Sequence, residues 1–75
     1  MPELRKVSGK EAIRSLQRLG FEVVRQRGSH MVLKKQTKAG EVGCVVPLHR
    51  ELKIGTLKGI LRQAKVASEE FMNNL

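Results

Sequence analysis

The chain has 75 residues, of which 15 are Lys or Arg and 7 are acidic, so its net charge is +8 at pH 7. A chain of this length is predicted to form one small domain, residues 1–75, near the lower size limit for unaided folding. The positive excess favours a polyanionic partner, most often nucleic acid, although basic domains of this size also bind proteins or ribosomes.

Several classes of site are disfavoured by residue types that are missing. All seven acids are glutamates scattered along the chain, whereas a two-metal nuclease needs clustered carboxylates to hold Mg²⁺. One Cys and two His at no ligand spacing disfavour zinc, so neither a metal nor a cofactor is expected. With no Trp or Tyr and only two Phe, the chain lacks the aromatic platform on which many RNA-binding sheets stack bases.

The sequence carries no sign of export or membrane insertion. No apolar run follows the N-terminal charges, and the hydrophobic stretches are far shorter than a membrane-spanning helix. The lone Cys44 cannot form an internal disulfide, which fits a reducing compartment. We therefore expect a cytoplasmic protein that does not bind a membrane.

The first predicted element is a helix over residues 8–19. Ser8 and Glu11 have the spacing of a capping box, in which each side chain bonds to the other residue's backbone amide. Gly20 follows the last apolar position of the helix and predicts a left-handed stop, after which Phe21 folds back on the last turn.

Three short strands follow. Successive side chains of a strand point to opposite faces of the sheet, so every second residue shares a face. If Met31 and Leu33 pack inward, then His30, Val32 and Lys34 face outward together. Pro47 stops the third strand because it cannot continue a central ladder. The predicted strands are residues 21–25, 29–34 and 41–46, joined by a turn at residues 26–28 and a polar loop at residues 35–40.

The second long helix begins near Ile54, and Ser68 is predicted to cap a short last helix. The element order predicts an α+β fold, an α-β-β-β-α two-layer sandwich. Its three-stranded antiparallel sheet carries both long helices on one face, and the short C-terminal helix is added to them. Double-stranded RNA-binding domains have a similar order, which fixes no function by itself.

The candidate site is the stretch Arg25-Gln26-Arg27-Gly28-Ser29-His30. No acidic residue lies between Val23 and Gly40, whereas five cations do. An imidazole ordinarily titrates near pH ~6.5 and can accept or donate a proton. RNA supplies its own nucleophile, the 2′-OH, so a metal-poor site of this kind favours RNA over DNA. The cations are Arg25, Arg27, Lys34, Lys35 and Lys38.

Each of these residues also has a plainer interpretation. A strand histidine is commonly packed or solvated, and surface cations commonly only solubilise. Gly28 serves either backbone geometry or close approach of a ligand, and Ser29 either donates to a phosphate or satisfies the turn. His49, in a loop after Pro47, is either a second proton partner or, as we favour, a surface or loop-packing residue.

Several motifs together resemble the HicA family, also called YcfA-like, over nearly the whole chain. They are Gly28-Ser29-His30, Val46-Pro47-Leu48-His49, Ile54-Gly55-Thr56-Leu57 and Ile60-Leu61-Arg62-Gln63-Ala64. The resemblance implies a fold like that of double-stranded RNA-binding domains and an mRNA-cleaving toxin. It also implies that His30 is the catalytic residue and that a HicB-type antitoxin masks the site. The family often has a glycine where this chain has Lys65-Val66.

Three hypotheses follow. The first is a metal-independent endoribonuclease toxin with His30 as general acid and base, which is a monomer when free of its antitoxin. The second is a non-catalytic RNA-binding module that uses the same basic sheet, and the third is a domain that docks an acidic protein. The predicted RNA-binding residues are Arg25, Arg27, Gly28, Ser29, Lys34 and Lys35.

Overall fold

A computed structural model of the chain describes residues 4–75, so residues 1–3 of the predicted domain lie outside the described part. The three strands form one antiparallel sheet in the order β1-β2-β3, with helices before and after it. The predicted α+β fold is confirmed. The elements are α1 (Gly9–Arg18), β1 (Glu22–Arg27), β2 (His30–Thr37), β3 (Gly40–Pro47), α2 (Ile54–Ala64) and α3 (Ser68–Asn73).

Both predicted ends of α1 are confirmed. The Ser8 amide donates to Glu11 Oε1 at 3.0 Å, and the Glu11 amide donates to Ser8 Oγ at 3.0 Å. The hydrogen bond from the Ser8 backbone is the main reason that the pKa of the Glu11 carboxyl is lowered. At the other end Gly20 has φ 102, and the Phe21 amide donates to the Leu16 carbonyl at 3.0 Å. Both ends could be predicted from the sequence because each hydrogen bond joins residues that are close in the chain.

The strands are longer than the sequence predicted. β1 continues through Gln26 and Arg27, so the first turn contains only Gly28 and Ser29. β2 continues through Thr37, because Lys35 and Gln36 pair with Val42 and Glu41 of β3. The predicted loop at residues 35–40 was therefore wrong for its first half. Pairing across the hairpin with β3 gives these polar residues an extended conformation that their own composition does not favour.

The N-terminal cap of the last helix differs from the prediction. Ala67 occupies the N-cap position without a side-chain hydrogen bond, and Ser68 is already the first helical residue. Packing holds this helix instead: Phe71 is fully buried, and its carbonyl accepts a 2.8 Å hydrogen bond from Ser15 Oγ of α1. Lys65, where the family often has glycine, ends α2 in the left-handed conformation with φ 57.

The core lies between the helices and one face of the sheet. Leu33 and Val46 are fully buried there, together with Leu16 of α1 and Leu57 of α2. Cys44 also lies on this covered face, and its burial raises the pKa of the thiol to about 11. The opposite face of the sheet carries no helix and leaves Val45 exposed. Within residues 4–75, no helix is long and apolar enough to cross a membrane.

Candidate functional site

His30 is the first residue of the central strand and lies on the open face of the sheet. It pairs with Arg27 of β1 on one side and with Pro47 of β3 on the other. Its side chain is exposed, whereas Met31 is half-buried and Leu33 is fully buried on the helix side. No side-chain hydrogen bond within residues 4–75 involves the imidazole. The predicted outward position of His30 is confirmed.

The turn before His30 is shaped by Gly28. It has φ 55, whereas Ser29 has a negative φ, and this is the pattern of a two-residue type II′ hairpin with glycine in first place. A Cβ at Gly28 would meet no atom within 4 Å, so the glycine is needed for its conformation and not for space. The Ser29 carbonyl accepts a 2.7 Å hydrogen bond from the Leu48 amide. This bond ties the turn to the loop that follows β3.

A β-bulge at Val24 brings two arginines to the same face as His30. The ladder pairs Val23 with Leu33 but Arg25 with Val32, so Val24 is the extra residue. Simple alternation from the inward-facing Val23 would have turned Arg25 and Arg27 toward the helices. The bulge moves Arg25 and Arg27 to the open face instead, and Arg27 becomes the direct cross-strand neighbour of His30. Cβ atoms of such pairs are typically about 5 Å apart.

Lys34 shares the open face with His30 but lies farther along the strand. Four residues of extended chain separate them, which is about 13 Å at the usual rise per residue. Its Nζ lies 3.3 Å from Glu41 Oε1 in an ion pair. Lys38, in the turn between β2 and β3, is farther still from His30. The sheet does not gather these lysines around the histidine.

Lys35 lies on the helix side of β2, next along the strand from Lys34. It pairs with Val42, and its Nζ lies 5.8 Å from the centroid of the Phe21 ring. Its aliphatic chain also lies over Gly20, where a Cβ would be 3.2 Å from Lys35 Cε. The expectation that Lys35 joins the cationic surface beside His30 is therefore not met. Because side chains alternate along the lengthened strand, Lys35 lies on the face opposite to that of His30.

The sheet therefore has two unlike ends. We call the first the histidine end, made of residues 27–30 together with residues 47–50. We call the second the Lys38 end, made of residues 34–41 and Glu22, which pairs with Lys34. Each end has a shallow hollow beside it.

The hollow at the Lys38 end is the larger, at about 370 Å³, but its lining mixes both signs of charge. Glu22 and Glu41 face Lys34 and Lys35 in it. The hollow at the histidine end measures about 330 Å³ and has no carboxylate in its lining. We take the smaller hollow as part of the site because charge, not size, suits a polyanion. Its lining residues are Ser8, Lys10, Leu48, His49 and Arg50.

Lys10 and Arg50 are candidate functional residues that the sequence analysis missed. They lie 40 positions apart in the chain and meet only through backbone contacts between the start of α1 and the loop after β3. The only local signal for Arg50 was its place directly after His49. Within residues 4–75, no three His, Cys, Asp or Glu side chains are placed to hold a metal ion together.

Most of the chain matches a described family of proteins. Residues 9–66 match the family model described as the HicA toxin of bacterial toxin–antitoxin pairs. The matched stretch covers well over half of the chain and includes α1, the whole sheet and α2. A search of curated proteins found no match. The family implies that the protein works with a cognate antitoxin. The chain belongs to the HicA toxin family.

Proposed function

We propose that this toxin is an endoribonuclease that cleaves mRNA, with His30 as the residue that moves protons. The observation that carries this proposal is the position of one exposed imidazole. It stands at the end of the central strand, directly across from Arg27, on the face of the sheet that no helix covers. A proton-transfer group beside a cation suits a phosphodiester, whose charge grows as it is attacked.

The proposed reaction uses the 2′-OH of RNA as the nucleophile. His30 removes the 2′-OH proton, and the oxygen forms a bond to the adjacent phosphorus while the bond from phosphorus to the 5′-oxygen breaks. The protonated His30 then gives this proton to the leaving 5′-oxygen, which returns the imidazole to its neutral form. Because the nucleophile belongs to the substrate, the reaction does not depend on a metal-bound water, and we propose that the enzyme is metal-independent.

Arg27 and Arg25 are proposed to hold the phosphates. A guanidinium can bind a phosphate through two parallel hydrogen bonds, which fixes the orientation of the phosphorus as well as its charge. Gly28 and Ser29 act through the turn that presents His30, since Gly28 supplies the positive φ and the Ser29 carbonyl anchors the following loop. Lys34 contributes less because its ammonium is already paired with Glu41.

The antitoxin is proposed to be of the HicB type and to cover His30. Its contacting surface would be acidic, because it must lie against Arg25 and Arg27 without leaving their charges unpaired. Free of the antitoxin, the toxin is proposed to be a monomer. A complex in which His30 stays open to solvent would contradict this part of the proposal.

Labelled RNA incubated with the pure protein in EDTA tests the enzymatic proposal. We expect cleavage by the wild-type protein and a loss of at least about 100-fold in His30→Ala, the usual scale of acid–base help. Gln36→Ala is the matched control, since Gln36 lies on the same face of the same strand at the Lys38 end and is also exposed. It should cleave at the wild-type rate.

Two results would contradict the proposal. Cleavage by a folded His30→Ala protein at the wild-type rate would remove His30 from the chemistry. Salt-sensitive RNA binding without cleavage would instead support a non-catalytic RNA-binding module that uses the same face.

A further inference from the structure

The hollow beside the histidine end is lined by a compact group of cations. Of its five lining residues, Lys10, His49 and Arg50 can donate hydrogen bonds from cationic or imidazole groups, and Ser8 adds a hydroxyl. Lys10, His49 and Arg50 are all exposed, and Leu48, the only apolar member, is half-buried. The hollow therefore offers an anion several donors and little apolar surface.

Backbone contacts hold the two sides of this hollow together. The Gly9 amide donates to the His49 carbonyl at 2.8 Å, and the Leu52 amide donates to the Val7 carbonyl at 2.7 Å. Gly9 permits this approach because a Cβ there would lie 2.1 Å from the Pro47 carbonyl oxygen. The backbone segments that carry Lys10 on α1 and Arg50 on the loop are thus joined to each other, and both side chains line the same hollow.

The same loop is joined to the turn that carries His30. The Leu48 amide donates to the Ser29 carbonyl at 2.7 Å, one residue before His30. The hollow and the imidazole therefore lie at the same end of the sheet, on either side of Pro47, the residue paired with His30. An RNA strand that occupied both would have to run past Pro47.

The carboxylates nearest to the hollow in sequence are already engaged. Glu11 accepts from the Ser8 amide in the capping box, and Glu51 lies 3.7 Å from Lys6 Nζ. Neither Lys10 nor Arg50 forms an ion pair within residues 4–75. Their charges remain available, unlike that of Lys34 at the Lys38 end.

We infer that this hollow is a second phosphate-binding site, which holds a nucleotide next to the one cleaved at His30 in the same RNA strand. Lys10 and Arg50 neutralise that phosphate, and His49 supplies a further donor. The inference rests on the proposed ribonuclease function and adds a positioning site to it. RNA suits the hollow better than a protein partner does, because the exposed valines Val24 and Val45 lie elsewhere on the sheet.

The test compares two double variants that remove the same charge. The first variant, Lys10→Gln with Arg50→Gln, removes two cations that line the hollow. The second variant, Lys58→Gln with Arg62→Gln, removes two exposed cations from α2. The probe is a single-stranded 2′-O-methyl RNA of mixed sequence, which lacks the nucleophilic 2′-OH. Circular dichroism melting confirms that each protein is folded.

We expect the first pair to weaken binding at least about 10-fold, the effect of losing one hydrogen bond between charged groups. The salt dependence should also become shallower by about 0.7 to 1.4 in logarithmic slope, for one or two lost phosphate contacts. With natural RNA, KM should rise while kcat stays near the wild-type value, whereas His30→Ala lowers kcat. The conservative pair Lys10→Arg with Arg50→Lys should restore binding.

The possible failures are distinguishable. If the wild-type protein neither binds nor cleaves RNA, the proposed function fails and this site fails with it. If the wild-type protein cleaves and both double variants lose affinity equally, only the general positive field matters and the site is refuted. If the first pair changes antitoxin binding but not RNA binding, the hollow belongs to the protein partner and the inference is also refuted.

Discussion

The Lys38 end of the sheet carries three cations and the histidine end carries two, and most of those at the Lys38 end already contact another side chain. At the Lys38 end, Lys34 is paired with Glu41 at 3.3 Å and Lys35 lies over the Phe21 ring, whereas Lys38 forms no ion pair within residues 4–75. At the histidine end, Arg27 and Arg50 form no ion pair within residues 4–75. A neighbouring carboxylate offsets part of a cation's attraction for a phosphate, and the hollow at the histidine end has no carboxylate in its lining.

Strand pairing produces this difference. No acidic residue lies between Val23 and Gly40 in the sequence, which makes the whole stretch look uniformly basic. In the sheet, however, Glu22 pairs with Lys34, and Glu41 pairs with Gln36. Both carboxylates thus border the Lys38 end. The other end of β3 finishes in Pro47 and a loop that contributes His49 and Arg50.

The sharpest test of this comparison removes one charge from each end. Arg27→Gln should lower kcat/KM for RNA by about 10- to 100-fold, which corresponds to the ~1.5–3 kcal/mol of a hydrogen bond to a charged group. Lys34→Gln should change it by less than about 2-fold, because Lys34 lies about 13 Å along the strand from His30 and Glu41 offsets part of its charge. Equal losses in the two variants would mean that the ends are not different.

A second test loosens the histidine end without touching a charge. Gly9→Ala introduces a Cβ 2.1 Å from the Pro47 carbonyl oxygen, so α1 must move away from the loop. We expect a loss of about 1–3 kcal/mol in the free energy of unfolding, as for other overpacked sites, and weaker RNA binding. Denaturant unfolding measures the first effect.

Gly59→Ala is the matched control in α2. A Cβ there meets nothing within 4 Å, and alanine favours a helix interior over glycine by about 1 kcal/mol. It should therefore stabilise the protein and leave RNA binding unchanged. A stable Gly9→Ala protein with unchanged binding would show that the contact between α1 and the loop does not shape this end.

A third, smaller effect concerns Cys44, which lies on the helix-covered face of the sheet. Burial raises the pKa of the Cys44 thiol from its usual 9.0 to about 11, so the folded protein holds this proton more tightly than the unfolded chain does. The resulting stability is fully present below pH 9 and is lost as the pH rises through about 11. The difference in unfolding free energy between wild type and Cys44→Ala should shrink over that window. A constant difference, or rapid alkylation of the native thiol at pH 8, would contradict the burial.

The sequence predicted well what depends on neighbouring residues. The capping box of Ser8 and Glu11 and the Gly20 stop act within one helical turn, so their residue types suffice. The outward position of His30 also followed, because alternation within β2 is regular from His30 to Leu33. The family resemblance added the toxin assignment, which the match over residues 9–66 supports.

What depends on pairing between strands or on contacts between separate segments was predicted less well. Nothing in the pair of adjacent valines, Val23 and Val24, predicts the bulge. Yet the bulge decides on which face Arg25 and Arg27 lie. Lys35 was assigned to a loop because its neighbours are polar, although pairing with Val42 makes it part of a strand. Arg50 and Lys10 come together only through hydrogen bonds between segments about 40 residues apart.

The most direct measurement is an NMR titration of the labelled protein with the 2′-O-methyl RNA, following the backbone amides of both ends of the sheet. The account predicts that the amides of Arg27, Ser29, His30 and Arg50 shift together, with one affinity, while those of residues 35–41 stay in place. Shifts centred on Lys34 and Lys38, with His30 unmoved, would contradict it.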